Sequence, residues 1–212
     1  MVYREAAVRQ PLQTRARRTR SALVDAARME FAARGYAATT AKKLTERAGV
    51  ATGTFYQYFE DKDAVLREIA ADNLGALIAD VLSVLESSAA VDVSEDAVRV
   101  ALEKRLAKVV HIVLRFRRTD PGLLSVLRER RIADPQLDQA WVQGERALIG
   151  RLASLLDRWC APADHEATAL VLFGMVDGAV EAQVSDSQIS DERFHEALVA
   201  ALVRVAWGER KF

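Results

Sequence analysis

The chain has 212 residues, 50% of them hydrophobic, with 30 Lys/Arg matched by 30 Asp/Glu; it can bury a substantial core, as one large domain or a small domain joined to a larger one. The single cysteine, Cys160, excludes an intrachain disulfide and a Cys-based zinc cluster and reads as a small buried or helix-end residue in a reducing cytoplasm. The N-terminus is charged, without an apolar signal segment, and the longest apolar run, Ala167 to Val176, falls far short of a membrane span, so a soluble cytoplasmic protein is expected.

Charge is unevenly placed along the chain. Residues 1–62 carry 12 Lys/Arg against 6 Asp/Glu, and the remainder carries 18 against 24. Attraction is screened over about 10 Å in physiological salt, so the local surplus, not the zero total, decides what the N-terminal part attracts. Residues 1–19 read as a basic flexible arm: Arg15, Arg17 and Arg18, with Arg20 just beyond, stand in a polar stretch with Pro11, suited to phosphates or a minor groove, a solubilising tail being the plainer alternative. A first helix is predicted from about Arg20 to Arg34, with Leu23, Ala26, Ala27, Phe31 and Ala32 inward and Gly35 ending it.

The segment from Thr40 to Lys62 carries the most information. Thr40 is a candidate N-cap for a short helix, Ala41 to Ala48, whose apolar members Ala41, Leu44 and Ala48 lie on one face. Gly49 can take the left-handed conformation that ends it, Val50 plugs the corner, and a second helix starts near Ala51 or Thr52. Phe55 and Phe59, four apart, pack inward, which leaves Thr52, Gly53, Thr54, Tyr56 and Gln57 on the exposed side and leading end. Such short polar side chains suit an element that enters a major groove, and Gly53 permits close backbone approach.

These residues resemble the tetracycline-repressor family of bacterial regulators. The matching pattern is Phe31-Ala32-Ala33-Arg34-Gly35-Tyr36, Thr39-Thr40, Ala48-Gly49-Val50, Gly53-Thr54-Phe55-Tyr56-Gln57-Tyr58-Phe59 and Lys62, in this order over about 45 residues. The resemblance implies that Thr40, Lys42, Thr52, Gly53, Thr54, Tyr56, Gln57 and Lys62 occupy DNA-touching positions, Tyr56 and Lys62 mainly on phosphates. Two departures stand out: Lys43 replaces a frequent acidic residue that closes a capping box, and Ala51 replaces a frequent serine cap. Lys43 opposes the dipole of its own helix end and makes more sense beside phosphate, so it joins the expected contacts, with Arg18 and Arg20.

Beyond Asp61, an expected N-cap, a long helix is predicted to about Glu86, then a small-residue connection Ser87 to Ser94 and a second long helix to about Arg118. Thr119-Asp120-Pro121-Gly122 breaks it, a short helix runs to about Arg131, and Asp134-Pro135 opens another that ends near Trp159, before Cys160-Ala161-Pro162. Asp164 caps a helix to about Val184, and Ser190 or Asp191 caps the last, to about Trp207 and Gly208. The expectation is an all-α protein of nine helices: a helix-turn-helix domain over 20–62 and a larger helical ligand-binding and dimerisation domain over 63–212. The resemblance implies the same architecture.

The last two long helices are apolar on more than one face, which a two-fold helical interface would cover. Leu170, Phe173, Gly174, Val180, Leu198, Leu202 and Val205 are the expected dimer residues. The resemblance further implies a small-molecule effector pocket, for which His111, Arg115, Phe116, Leu127, Trp141, Glu145, Phe173, Met175 and Asp177 are candidates; core packing is the plainer account of the Phe, Leu and Met positions. Arg115, Arg117 and Arg118 could attract an anionic ligand, a solvated helix end beside the C-terminal dipole being the plainer account. His111, His165 and His195 lack metal-ligand spacing and no catalytic signature stands out, so neither cofactor, metal nor catalysis is expected. The expected function is a sequence-specific repressor, a homodimer released from a palindromic double-stranded DNA operator by a small molecule. The alternative is a helical partner-binding scaffold whose basic head docks on acidic surfaces without reading sequence.

Overall fold

The computed structural model describes residues 5–87, 94–159, 164–186 and 188–207, with the side chains of 5–12 and 186 excepted. Cys160, the Cys160-Ala161-Pro162 stop, Gly208 and most of the Ser87 to Ser94 connection lie outside the described residues. The described chain is all-α: α1 (Glu5–Ala38), α2 (Ala41–Ala48), a 3₁₀ helix (Thr52–Gln57), α3 (Lys62–Glu86), α4 (Glu95–Thr119), α5 (Pro121–Ala133), α6 (Pro135–Trp159), α7 (His165–Asp186) and α8 (Asp191–Trp207). These are the nine helices expected.

Short polar side chains start most of them by accepting an N–H that has no partner inside its helix. Asp61 accepts from Ala64 N at 2.7 Å, Asp120 from Leu123 N at 3.0 Å and Asp164 from Ala167 N at 2.9 Å. Asp134 takes two such donors, Gln136 N and Leu137 N, at 2.9 and 3.2 Å. For α8 the cap is Ser190, 3.5 Å from Arg193 N, and Asp191 is the first helical residue.

The start of α1 differs from expectation. It begins at Glu5, not Arg20, because the stretch before Arg20 is made mostly of helix formers (Ala, Arg, Gln, Leu), and these outweigh the single Pro11. Its predicted end at Gly35 is real: the helical run is interrupted there at φ 75°, ψ 174°, a conformation essentially restricted to glycine.

Contacts divide the chain into two units. The first comprises Met1–Asp72 with Asp120–Asp138. Its core is built from Leu23, Ala27 and Phe31 of α1, Leu44 of α2, Phe55 and Phe59, Val65, Leu66 and Ile69 of α3, and Leu123, Val126 and Leu127 of α5. α5 lies tightly on α1, since a methyl at Gly122 would come 2.4 Å from the Ala32 carbonyl oxygen. Arg67 of α3 donates to Asp134 at 2.8 Å and Arg130 of α5 to Asp63 at 3.0 Å.

The second unit comprises Asn73–Thr119 with Gln139–Phe212. Val81, Leu85, Leu102, Leu106, Val109, Val110, Val113, Leu155, Leu156, Ala169, Leu172, Val180, Leu198, Val199, Leu202 and Ala206 form one buried cluster. The ten-residue run visible in sequence understates α7. Over His165–Ser185 its mean hydropathy is 1.4, long and apolar enough to cross a membrane by length and composition alone, yet α7 packs on α4 and α8 and only 22% of that window is buried.

Candidate functional site

α2 and the 3₁₀ helix meet at a glycine corner. Thr40 accepts from Lys43 N at 3.3 Å, and Gly49 ends α2 at φ 68°, ψ 31°. The Val50 N–H then reaches back to Thr45 O at 3.0 Å, closing the turn. The second helix is a tight 3₁₀ turn rather than an α-helix. Ala51 supplies no side-chain cap, Thr54 N donates to Ala51 O at 2.8 Å in the i to i+3 pattern, and Thr52, Gly53 and Thr54 are all weak helix formers.

Beneath that turn Phe55 is fully buried, with the Phe59 ring 5.7 Å away and the Tyr56 ring edge-on at 5.3 Å. Above it Thr52, Gly53 and Gln57 are exposed, Thr54 is half-buried, and Tyr56 is 64% exposed. A slim, polar, hydrogen-bonding end therefore stands on an aromatic base.

The cations divide into two kinds. Arg18 is exposed, and among the described residues the ion pair of Lys42 is a long 3.8 Å contact to Glu46. Lys43, half-buried, donates to Ala38 O at 2.7 Å, so a cation that opposes the dipole of α2 neutralises the carbonyl end of α1. Lys62 is held within the head: its ammonium donates to Tyr36 O at 2.9 Å and Thr39 O at 3.3 Å and lies 3.9 Å from the Tyr36 ring centre. Burial holds its pKa below the usual lysine range. Arg130 covers the same ring at 4.0 Å, and burial together with a hydrogen bond to Asp63 raises the Tyr36 hydroxyl's pKa. Arg20 pairs with Glu68 and lies 5.0 Å from the Phe59 ring centre.

Sequence reasoning passed over one network here. Glu30 of α1 is buried, accepts from Arg47 of α2 at 2.6 Å and lies 3.0 Å from Arg34. The Arg47 hydrogen bond holds its carboxyl below the usual range despite burial. The signal was available, because Glu30 stands in line with the inward residues Leu23, Ala26 and Ala27, where a charge requires a partner.

In the second unit α3, α4, α6 and α7 line an open cavity whose empty space, about 670 Å³, includes adjoining solvent. Leu74, Leu77, Ile78, Val81, Val109, Val113, Leu148 and Val176 make it apolar. Of the residues expected in a pocket, Phe116, Trp141, Glu145, Phe173 and Asp177 line it. His111 is exposed, Arg115 points to Asp80 at 3.7 Å, Met175 packs on the core cluster, and Leu127 is buried in the first unit. Arg117, read as a solvated helix end, instead lines the wall with its side chain 18% exposed, bonded to Asp177 and, at 3.1 Å, to Glu181.

Among the residues assigned to a dimer surface, Leu170 is 58% exposed and Gly174 is exposed, whereas Phe173 and Val205 are half-buried. Val180, Leu198 and Leu202 are buried in the core of their own chain. α7 leaves Ala167, Leu170, Val171, Gly174, Gly178 and Ala182 exposed, with Glu166 and Ser185 exposed toward its two ends.

Residues 23–69 match the family described as bacterial regulatory proteins, tetR family, and residues 101–205 match a tetracyclin repressor-like C-terminal domain. No curated protein matches the chain. Among solved structures it is similar to the fatty acid degradation regulator FadR from Bacillus halodurans, at 23% identity and TM-score 0.64, over 92% of this chain and 97% of that one. FadR from Bacillus subtilis in complex with stearoyl-CoA is similar at 22% identity and TM-score 0.66, over 86% and 97%. A TerR/AcrR-family regulator from Aquifex aeolicus VF5 is similar at 15% identity and TM-score 0.64, over 87% and 97%.

Proposed function

The chain belongs to the tetR family of bacterial regulatory proteins, transcriptional regulators with a helix-turn-helix head, and on that premise we propose that it is a cytoplasmic homodimeric repressor. It binds a palindromic operator through its two heads and leaves it when a hydrophobic small molecule fills the cavity of the second unit. The observation that carries the reading is the exposed polar end of Thr52, Gly53, Tyr56 and Gln57 over the buried Phe55 and Phe59. In this proposal Thr52, Gly53, Thr54 and Gln57 meet base edges, while Thr40, Lys42, Lys43, Tyr56, Arg18 and Arg20 meet phosphates. Lys62 braces the corner through Tyr36 and Thr39 and turns its remaining N–H toward phosphate. The domain reading is a head over 20–62 preceded by a basic arm over 1–19, with effector binding and dimerisation over 63–212.

The dimer proposal draws support from α7. An exposed apolar stripe on a helix of this hydropathy is costly in water, and a second copy related by a two-fold axis covers it without any new surface type. The bound ligand of the Bacillus subtilis neighbour, stearoyl-CoA, supports an apolar effector in the same fold.

Selection of duplexes from a random pool, followed by mobility shift against random-sequence competitor, tests the reading. One palindrome retained over competitor is expected, with Gln57→Ala relaxing discrimination by about 1–3 kcal/mol at the contacted position. Equal competition by any DNA overturns it in favour of a head that docks on acidic surfaces without reading sequence. Leu170→Glu should convert dimer to monomer on gel filtration and abolish selective retention; a persisting dimer refutes the α7 interface.

A further inference from the structure

The charge arrangement inside the cavity says more about its occupant than its volume does. Its lining contains one guanidinium, Arg117, and two carboxylates, Asp177 and Glu145; Asp177 is bonded to Arg117, as is Glu181 from outside the lining. Arg117 is thus already matched twice over in charge, and an anion entering here would meet the two carboxylates beside it. Glu145 is different. It accepts from Trp141 Nε1 at 2.7 Å, which fixes its direction, and among the described residues no cation pairs with it. It shares the lining with three aromatic side chains, Trp141, Phe116 and Phe173. An aromatic lining beside a carboxylate that lacks a counter-ion is a chemistry suited to an organic cation, whose charge interacts with ring faces and carboxylate together.

Accepting the proposed reading of this cavity as the effector site, we infer that the effector is a lipophilic cation: an amine or quaternary ammonium head placed against Glu145 and the aromatic lining, with an aliphatic or aromatic body along Leu74, Ile78, Val113 and Val176. Dodecyltrimethylammonium, dodecanoate and dodecanol, which share one chain length and differ in charge, separate the contributions when titrated calorimetrically into the full-length protein well below micelle formation. The ammonium should bind roughly tenfold tighter than the carboxylate, from a partly exposed charge pair plus cation–π attraction. In Glu145→Gln, whose amide oxygen can still accept from Trp141, that preference should collapse while dodecanol affinity stays the same, in protein whose melting temperature is unchanged. Trp141→Phe keeps a ring and loses the orienting N–H, and should reduce the preference by less.

Dodecanoate binding as tightly as the ammonium, or a preference that survives Glu145→Gln, overturns the cation inference and leaves the cavity reading standing. If none of the three probes binds, the cavity reading itself fails, and the inference with it.

Discussion

Gly122 follows the Asp120-Pro121 start of α5 and Gly174 lies within α7, and the structure makes opposite demands on them. A methyl built on Gly122 would sit 2.4 Å from the Ala32 carbonyl oxygen and 3.2 Å from its carbon. Both atoms belong to the backbone of α1, so no side-chain rotation relieves the overlap, and α5 would have to withdraw from α1. Overpacking of this kind costs typically 1–3 kcal/mol, against which alanine returns at most about 1 kcal/mol of helix propensity. Gly122→Ala should therefore be destabilising by roughly 1–2 kcal/mol, lowering the melting temperature by about 2–8 °C for a chain of this size. At Gly174 nothing lies within 4 Å of the added carbon, so Gly174→Ala should hold or raise protomer stability by up to about 1 kcal/mol. Paired calorimetric scans at one protein concentration compare the two variants. A Gly122→Ala protein that melts at or above the parent refutes the inferred α1–α5 contact.

Three further outcomes follow from the same geometry. Gly35→Ala meets no atom within 4 Å yet must hold φ 75°, ψ 174°, so a loss of about 1–3 kcal/mol in urea unfolding is expected from backbone strain alone. Glu30→Gln removes the buried carboxylate facing Arg47 and Arg34 and should cost about 1.5–3 kcal/mol, the usual contribution of hydrogen bonds to a charged group; a neutral result in chemical denaturation would show that the pair is already solvated. Asp191 is held at about 2, from 3.8, by the Arg118 hydrogen bond and then that of Gln183. Because the folded value is depressed, its stabilisation is present above pH 3.8 and is lost as pH falls toward 2. The stability gap between the parent protein and Asp191→Asn should accordingly close over that window, and a gap that widens there contradicts the assignment.

Much of the head was legible along the chain because its signals are local. Thr40, Gly49, Asp61 and Gly35 each act within one turn of where they stand, and Phe55 and Phe59 are inward by helical spacing alone. The same holds for the nine helices and for the polar residues that start them. Where local preference was nearly balanced, reading along the chain failed: helix formers before Arg20 carried α1 back to Glu5, and an uncapped Ala51 with Gly53 gave a 3₁₀ turn.

Only the tertiary structure decided what long side chains and shared faces do. Lys62 shows no sign along the chain that Tyr36 and Thr39, over twenty residues away, hold its ammonium. Arg117 stands between Arg115 and Arg118 with nothing to distinguish it, yet it alone of the three lines the cavity, because Asp177 and Glu181 come to it from another helix. Leu170 and Leu202 carry the same side chain in equally apolar helices, and one is exposed while the other is fully buried. The physical reason is range. Caps and periodicity are settled within a few residues, whereas which apolar face meets which neighbour, and which charge meets which, depends on segments brought together from far apart in the chain.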